Sequence, residues 1–538
     1  MQQRLSSKTL PLLKSGTELS LPSYNLDELK GGIVQLGAGN FFTAFLAYKI
    51  NELLNNGDKD ALTYGLYGVN IKPPKERGEE INNQNGLYTV LEQDGKGNKK
   101  LTVVGSVLEF IYCDEDSNNA NRQRVIDLIA SPDTRIVSMT VMPQTHQSYI
   151  DAKGRLKQDR EDIQNDLDAK NLPLTVYGYI ARGLQKRGED IPGLTILNMD
   201  NMEKNGDVFK STFLQFITAY DAKNGTALKR LVKEKLRFPN SMVDRIVPQP
   251  PEGLSDEASN QLGLTDKAPI ATEPMPKYSW FVENNFANQM PNLELVGQVR
   301  YVDHVEPYEL LKLRMINGTF FAISQLAHLK GIDFIHEAIT DPSIQKFAVE
   351  LMNKESEPTL QPLPDIDLVD YKRNVIERLS NEKLKDTVKR VVNDGGPTKT
   401  VQAAEAQLEL GIPTELRALC IAAWIRRAQV DTNEAGGPLE FKHPSEELLK
   451  QKARASRHDP KELLNMKDVF GDLGTYPDFV TSVGKYLVLL DQPNGVNKAI
   501  ETALTASANA SKKTPIKAIP PEGTPGFQNK KYPEARQD

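Results

Sequence analysis

The sequence predicts an α/β protein with a doubly wound, mostly parallel sheet in its N-terminal part and a mainly α-helical C-terminal part. Three observations carry that prediction. Short apolar, β-rich runs alternate with helix-like segments from about residue 30 to 250, the pattern of successive βαβ units. From about Pro307 onward, long amphipathic segments follow one another and strand signals nearly vanish. A glycine pair, Gly37-Ala-Gly39, closes the first apolar run and opens the first helical one.

In chain order, strands are predicted at 32–37, 64–69, 101–107, 135–141 and 194–197, and helices at 41–54, 122–129, 175–186 and 208–220. A proline-rich stretch (PQPPEG) then begins a segment, 250–305, expected to bridge two domains. Helices follow at 307–329, 343–352, 368–378, 414–429, 445–455 and 478–490. The expected domains are 30–300, of Rossmann type and dinucleotide-binding, 301–505, helical and substrate-binding, and 506–538, a Lys-, Pro- and Gly-rich flexible tail.

Bulk chemistry narrows the function. The chain has 538 residues, 39% hydrophobic and 26% charged, as expected of a globular protein with large cores. A net charge of -6 argues against nucleic acid and anionic membrane surfaces as partners. Two cysteines build no disulfide framework, and Cys420, inside the apolar run 418–424, is expected in the core. Six scattered histidines show no zinc spacing, so no metal is expected. The N-terminus has no apolar h-region and no stretch approaches 18 apolar residues, so a cytoplasmic protein is expected.

Gly37 and Gly39 stand where a backbone approaches a pyrophosphate, although the same pair also serves a tight turn with no ligand. The third glycine of GxGxxG is replaced by Phe42. The second strand ends at Asn70, where an acid for the ribose hydroxyls is usual, and Lys72, Lys75 and Arg77 follow. Those bases either leave room for a 2′-phosphate or form a solvated loop, so the cofactor is NAD or NADP. It is expected against Gly37, Gly39, Asn40, Phe41 and Asn70.

The segment Pro307-Tyr-Glu-Leu-Leu-Lys312-Leu-Arg-Met-Ile-Asn317-Gly318-Thr-Phe320 places Asn-Gly inside an apolar helix, at a cost of about 1 kcal/mol for the glycine. A bend or close backbone approach at a site should offset it. At about 100° per residue, Lys312 and Asn317 lie about 140° apart, with position 320 between them. Burial would prepare Lys312 as a base; a snorkelling surface lysine fits the pattern too. Asn201 follows the end of a predicted strand, where open α/β sheets bind ligands, and either donates to a ligand or shapes a turn.

Taken together, Lys312-x4-Asn317, the loop Leu197-Asn-Met-Asp200-Asn201-Met-Glu-Lys-Asn205-Gly206, the stretches 238–245 and 280–286, Asp394-Gly395 and Val469-Phe-Gly-Asp-Leu resemble the mannitol dehydrogenase family of polyol-specific long-chain dehydrogenases and reductases. The resemblance spans roughly residues 30 to 500. It implies a Rossmann-type domain, a helical domain, and a site in the cleft between them. It also implies NAD(P)-dependent hydride transfer between a keto-sugar or keto-uronate and its sugar alcohol or aldonate, as in mannitol 2-dehydrogenases, fructuronate reductases and tagaturonate reductases. Lys312 would be the acid–base, Asn317 and Asn201 the donors to the substrate oxygen, and positions 320, 390 and 399 the substrate contacts. The partner is therefore a small sugar, polyol or uronate; the oligomeric state is left open.

Departures cluster in the site. Phe320 stands for the family histidine, Phe42-Thr43-Ala44-Phe45 for His-Arg-Ala-His, and Lys399 is displaced by one residue while Arg390 fits. After Val141 the chain reads Met142-Pro-Gln-Thr-His146, so His146 either enters the site or sits on an exposed loop. His304 and His328 occupy no position from which to replace the lost histidine, and His336 is expected to be structural. Phenylalanine can neither donate nor accept, so the substrate is altered or the chemistry is lost. The alternatives are a non-catalytic dinucleotide- or sugar-binding homologue and a cofactor-retaining epimerase.

Overall fold

The computed structural model describes residues 3–511 apart from 72–75, 114–118, 141–147, 152–153, 190, 364 and 394–395. Six strands, β1 (Gly31–Leu36), β2 (Gly65–Asn70), β3 (Val107–Tyr112), β4 (Ile136–Met139), β5 (Leu194–Asn198) and β6 (Leu236–Arg237), form one sheet. They pair in the order β3-β2-β1-β4-β5-β6, every neighbour parallel. That is the dinucleotide-binding order, with its switch point between β1 and β4. Strand alternation sends Ile33 into a core with Phe42, Leu46 and Ile50, and Val34 into another with Ile126, Ile129 and Ile180. Both faces are therefore covered, which is why these strands read as continuous apolar runs.

The structure corrects several expectations in this half. The run expected as one strand at 101–107 is split at Gly105. Lys99–Val104 pairs antiparallel with Tyr88–Gln93 in a separate four-stranded sheet, and β3 begins after the break. A Cβ at Gly105 would crowd the Leu26 side chain at 2.8 Å, and in the break between the strands the Gly105 N–H donates to Asn51 Oδ1 (3.1 Å). The helix expected at 41–54 is interrupted at Phe45 (φ -120°, ψ -79°), because the Ala44 carbonyl accepts from the buried Arg245 guanidinium. Nor is 250–305 a bridge. Ile270–Thr272, Trp280–Glu283 and Val299–Val302 are strands of the two smaller sheets, and the first unit runs through to Glu306.

The second unit begins at Pro307 and is helical. Its central helix, Glu415–Gln429, is buried almost all round, which fits its lack of a polar stripe. Helices Gly318–Lys330, Pro477–Leu490 and Gly495–Ser511 pack against it. Trp424 lies edge-on to Phe441 and Phe470, and Cys420 is buried. The last helix continues to Ser511, past the point at which composition begins the tail; the rest of that segment lies outside the described residues. Among the described residues no helix is long and apolar enough to cross a membrane, and no group of three His, Cys, Asp or Glu is placed to hold a metal ion.

Candidate active site

The glycine turn sits at the switch point. Gly37 has φ +84°, and a Cβ there would stand 2.6 Å from the Thr140 carbonyl after β4, so this position needs glycine. Gly39 is different: a Cβ would meet nothing within 4 Å. Its backbone faces open space, the room a pyrophosphate requires, and the residues present fit a dinucleotide. Gln35 stiffens the crossing, its Nε2 donating to Thr140 Oγ1 (2.7 Å) while Ser138 Oγ donates to its Oε1 (2.7 Å). The Asn70 Oδ1 accepts from the Ala38 N–H (2.9 Å), so the residue in the acid's place closes the turn. Asn40 reaches Gln249, and Phe41 is half-buried and stacked on Phe45.

Two readings of the basic and aromatic residues change. Arg77 is not on a solvated loop: it lies in the helix Glu76–Asn83 with Nη2 donating to the Ala268 carbonyl (2.8 Å). Lys72, Lys75 and His146 lie outside the described residues. Phe42 and Phe45 are fully buried, against Phe110 and Trp280, so these two replacements fill the core and do not line a site.

Asn201 lies exposed on the loop after β5, and its neighbours build a clamp. Asn205, fully buried, donates to the carbonyls of Asp200 (3.0 Å) and Ser241 (2.7 Å) and accepts from the Ser241 N–H (2.9 Å). Asn198 accepts from the Asp200 N–H (3.0 Å) and donates to the Asn205 carbonyl (3.1 Å). The loop closes through Lys204 in the left-handed region (φ 50°). Gly206 follows because a Cβ there would meet the Pro239 carbonyl at 2.5 Å. Asn205 and Asn198 thus hold the backbone on both sides of Asn201.

Lys312 ends the α-helix Glu306–Lys312 and is buried, 7% exposed. The next five residues, Leu313–Asn317, form a π-helix closed by Gly318 N–H to Leu313 O, and α-helix resumes at Gly318. The uniform-helix expectation therefore fails. Widening the turn to i→i+5 closure carries Asn317 back toward the face of Lys312, in place of the separation of about 140°. Close approach does not explain Gly318, since a Cβ would make ordinary contacts, 3.4 Å to Leu313 O and 3.7 Å to an Arg417 guanidinium nitrogen.

Phe320 is half-buried in the first turn of Gly318–Lys330. Arg390 forms a two-point pair with Asp386 (both 2.6 Å), and Lys399 is half-buried at the start of Thr398–Leu410. Asp394-Gly395 lies outside the described residues. His328 accepts from Arg427 Nε (2.9 Å), and burial, with Arg427 beside it, pushes its pKa down to about 4. His304 is exposed and His336 lies beside Phe334.

Sequence reasoning passed over Glu309, buried three residues before Lys312; i,i+3 spacing alone pointed to it. It also passed over Glu355, which no local signal marks. Glu355 is fully buried in a second π-helix, Leu351–Ser356, and burial raises its pKa to about 7.

Comparison with known proteins decides the family. The profile of the mannitol dehydrogenase Rossmann domain matches residues 31–295, and that of the mannitol dehydrogenase C-terminal domain matches 304–489. The chain belongs to the mannitol dehydrogenase family. Its relatives include the mannitol 2-dehydrogenase of Emericella nidulans, 32% identical over 511 residues that cover 92% of this chain and 98% of that protein. The mannitol 2-dehydrogenase of Pseudomonas fluorescens, solved as a ternary complex with NAD and D-mannitol, superposes with a TM-score of 0.82 at 30% identity, covering 94% of this chain and all of that one. A D-sorbitol dehydrogenase in substrate-free form gives 0.78 at 26% identity, covering 93% of this chain and all of that one. Mannitol dehydrogenase family relatives are thus matched over both units.

Proposed function

We propose that this chain is an NAD-dependent polyol dehydrogenase that interconverts a sugar alcohol and its ketose, with Lys312 as acid–base. The observation that supports it most is the buried lysine opening a π turn that ends on Asn317. The solved relatives act as its chemical guide: one holds NAD and D-mannitol, the other is a sorbitol dehydrogenase. A bound nicotinamide dinucleotide supplies the hydride acceptor or donor. Gly37 and Gly39 give its phosphates backbone to approach, and Asn70 offers no acid to its ribose. Lys312 takes the hydroxyl proton during oxidation and returns it to the carbonyl oxygen during reduction. Asn317 and Asn201 donate to that oxygen as it gains negative charge. Arg390, Lys399 and Phe320 contact the rest of the substrate.

The test is a screen of D-mannitol, sorbitol, fructose, fructuronate and tagaturonate with NAD(H) and NADP(H), with Lys312→Ala beside wild type. A polyol–ketose pair should turn over with NAD(H), and the variant should lose about 10²- to 10⁴-fold in kcat. Uronate turnover alone would move the substrate to the uronates; full activity in the variant would sink the acid–base role. Phe320 favours a second reading, a dinucleotide-binding homologue without catalysis, which predicts calorimetric NADH binding and no turnover across the panel. Isomer formation without net NADH release would mark an epimerase.

A further inference from the structure

A π turn is rare and persists where other groups support it. The one at Leu313–Asn317 is met by a buried polar relay from elsewhere in the helical unit. The Arg314 carbonyl, inside the turn, accepts from Ser356 Oγ (3.1 Å). The same oxygen accepts from Arg417 Nη2 (2.8 Å), so the hydroxyl's single hydrogen is directed at Arg314. Ser356 is fully buried and Arg417 is 1% exposed. The Arg314 guanidinium in turn donates to the Thr359 carbonyl, which fixes Arg314 to the same segment from both of its ends.

Arg417 is itself held. The Glu355 carboxylate accepts from the backbone N–H of Leu416 (2.7 Å) and Arg417 (3.0 Å) in the first turn of Glu415–Gln429, and from Gln407 Nε2 (3.4 Å). Its charge also balances the buried guanidinium. Two π segments are therefore joined, with Ser356 at the end of one bonded to the Arg314 carbonyl within the other.

We propose that Ser356, oriented by Arg417, is a positioning residue whose hydroxyl holds the Arg314 carbonyl and keeps Leu313–Asn317 in its wide turn, thereby presenting Asn317 on the face of Lys312. The proposal rests on the reading that Lys312 and Asn317 carry the reaction. Without the hydroxyl, the segment tightens toward α-helical closure and Asn317 rotates away. The lysine, the cofactor turn and the substrate contacts from Arg390 and Lys399 stay in place.

The experiment compares Ser356→Ala, Ser356→Thr and Lys312→Ala in the full chain, using D-mannitol, its C2-deuterated form and NAD. In Ser356→Ala, kcat should fall about 10- to 100-fold, as for a catalytic group displaced by about 1 Å. KM for mannitol should change less than about threefold, because binding contacts are kept. NADH affinity by fluorescence titration should not change, and the deuterium isotope effect on kcat should rise as the chemical step slows. Ser356→Thr, which keeps a donor, should recover most of the lost rate. If alanine prevents folding, Ser356→Cys, a weak donor, should give an intermediate kcat with the same raised isotope effect. A kcat near wild type in Ser356→Ala beside an inactive Lys312→Ala overturns the positioning role alone. A lower active fraction with an unchanged isotope effect also overturns it, since that marks a folding defect. An active Lys312→Ala removes the reading of the site and this proposal with it.

Discussion

The Asn201 loop and the Lys312–Asn317 segment present their polar side chains by opposite means. In the loop, hydrogen bonds from Asn198 and Asn205 hold the backbone within a few residues of the group presented, and Asn205 also ties it to Ser241. In the helix, a change of turn type does the work, and the groups that meet it, Ser356 and Arg417, lie 42 and more residues away in sequence. The loop clamp thus draws on its own residues and on one further segment, at Ser241. Distant clamping ties the site to the packing of the whole helical unit.

Four measurements break or sharpen that contrast. The largest effect is expected from the presented groups themselves. Asn317→Ala and Asn201→Ala should each lower kcat about 10²- to 10³-fold, the loss of one donor to a developing oxyanion, with melting temperature unchanged. A loss confined to one of them would assign the charge stabilisation to one unit only.

Next comes Asn205→Ala, which leaves the Asp200 and Ser241 carbonyls and the Ser241 N–H without this partner. Denaturant unfolding should show a loss of about 3 kcal/mol, and kcat should fall with it as the loop relaxes. Normal kcat in the destabilised variant would detach the clamp from function.

A smaller effect concerns pH. Burial raises the Glu355 pKa from 4.5 to about 7, so the folded chain binds this proton more tightly than the unfolded chain. The resulting stability is fully present below about 4.5 and is lost as pH rises through about 7. His328 acts oppositely: its depressed pKa gives stability that is present above 6.5 and lost as pH falls toward about 4. Glu355→Gln should therefore change the stability difference from wild type by about 2–3 kcal/mol between pH 4.5 and 8, with wild type favoured at the acid end. Parallel stability curves would contradict that assignment.

The smallest effect is Phe320→His. It should shift KM among the sugar alcohols by several-fold and leave the melting temperature within a few degrees, because Phe320 is half-buried. An unchanged substrate profile would remove Phe320 from the substrate contacts.

What was legible in the chain followed from locality. Buried parallel strands appear as apolar runs, and Gly37 marks a turn that only glycine adopts, so the sheet and its dinucleotide crossing could be read directly. The split at Gly105 was missed because two strands of different sheets are nearly continuous in sequence. Arg77 looked like a loop base, although its partner, Ala268, is nearly 200 residues away. Phe42 and Phe45 looked like lost site residues because the sequence does not state which face of a helix is covered. The π turn was invisible for a stronger reason. α and π closures use the same residue types, and the choice between them rests on Ser356 and Arg417, which nothing near Lys312 announces.

That turn has an evolutionary side. A π turn is one residue more than the helix needs, so every position after it is out of phase with those before. Deleting a single residue between Lys312 and Asn317 would let a regular helix run from Glu306 to Lys330. Such a deletion would leave the asparagine four residues after the lysine, about 40° from it on the same face, so the wide turn is what lets the longer chain keep the pair together.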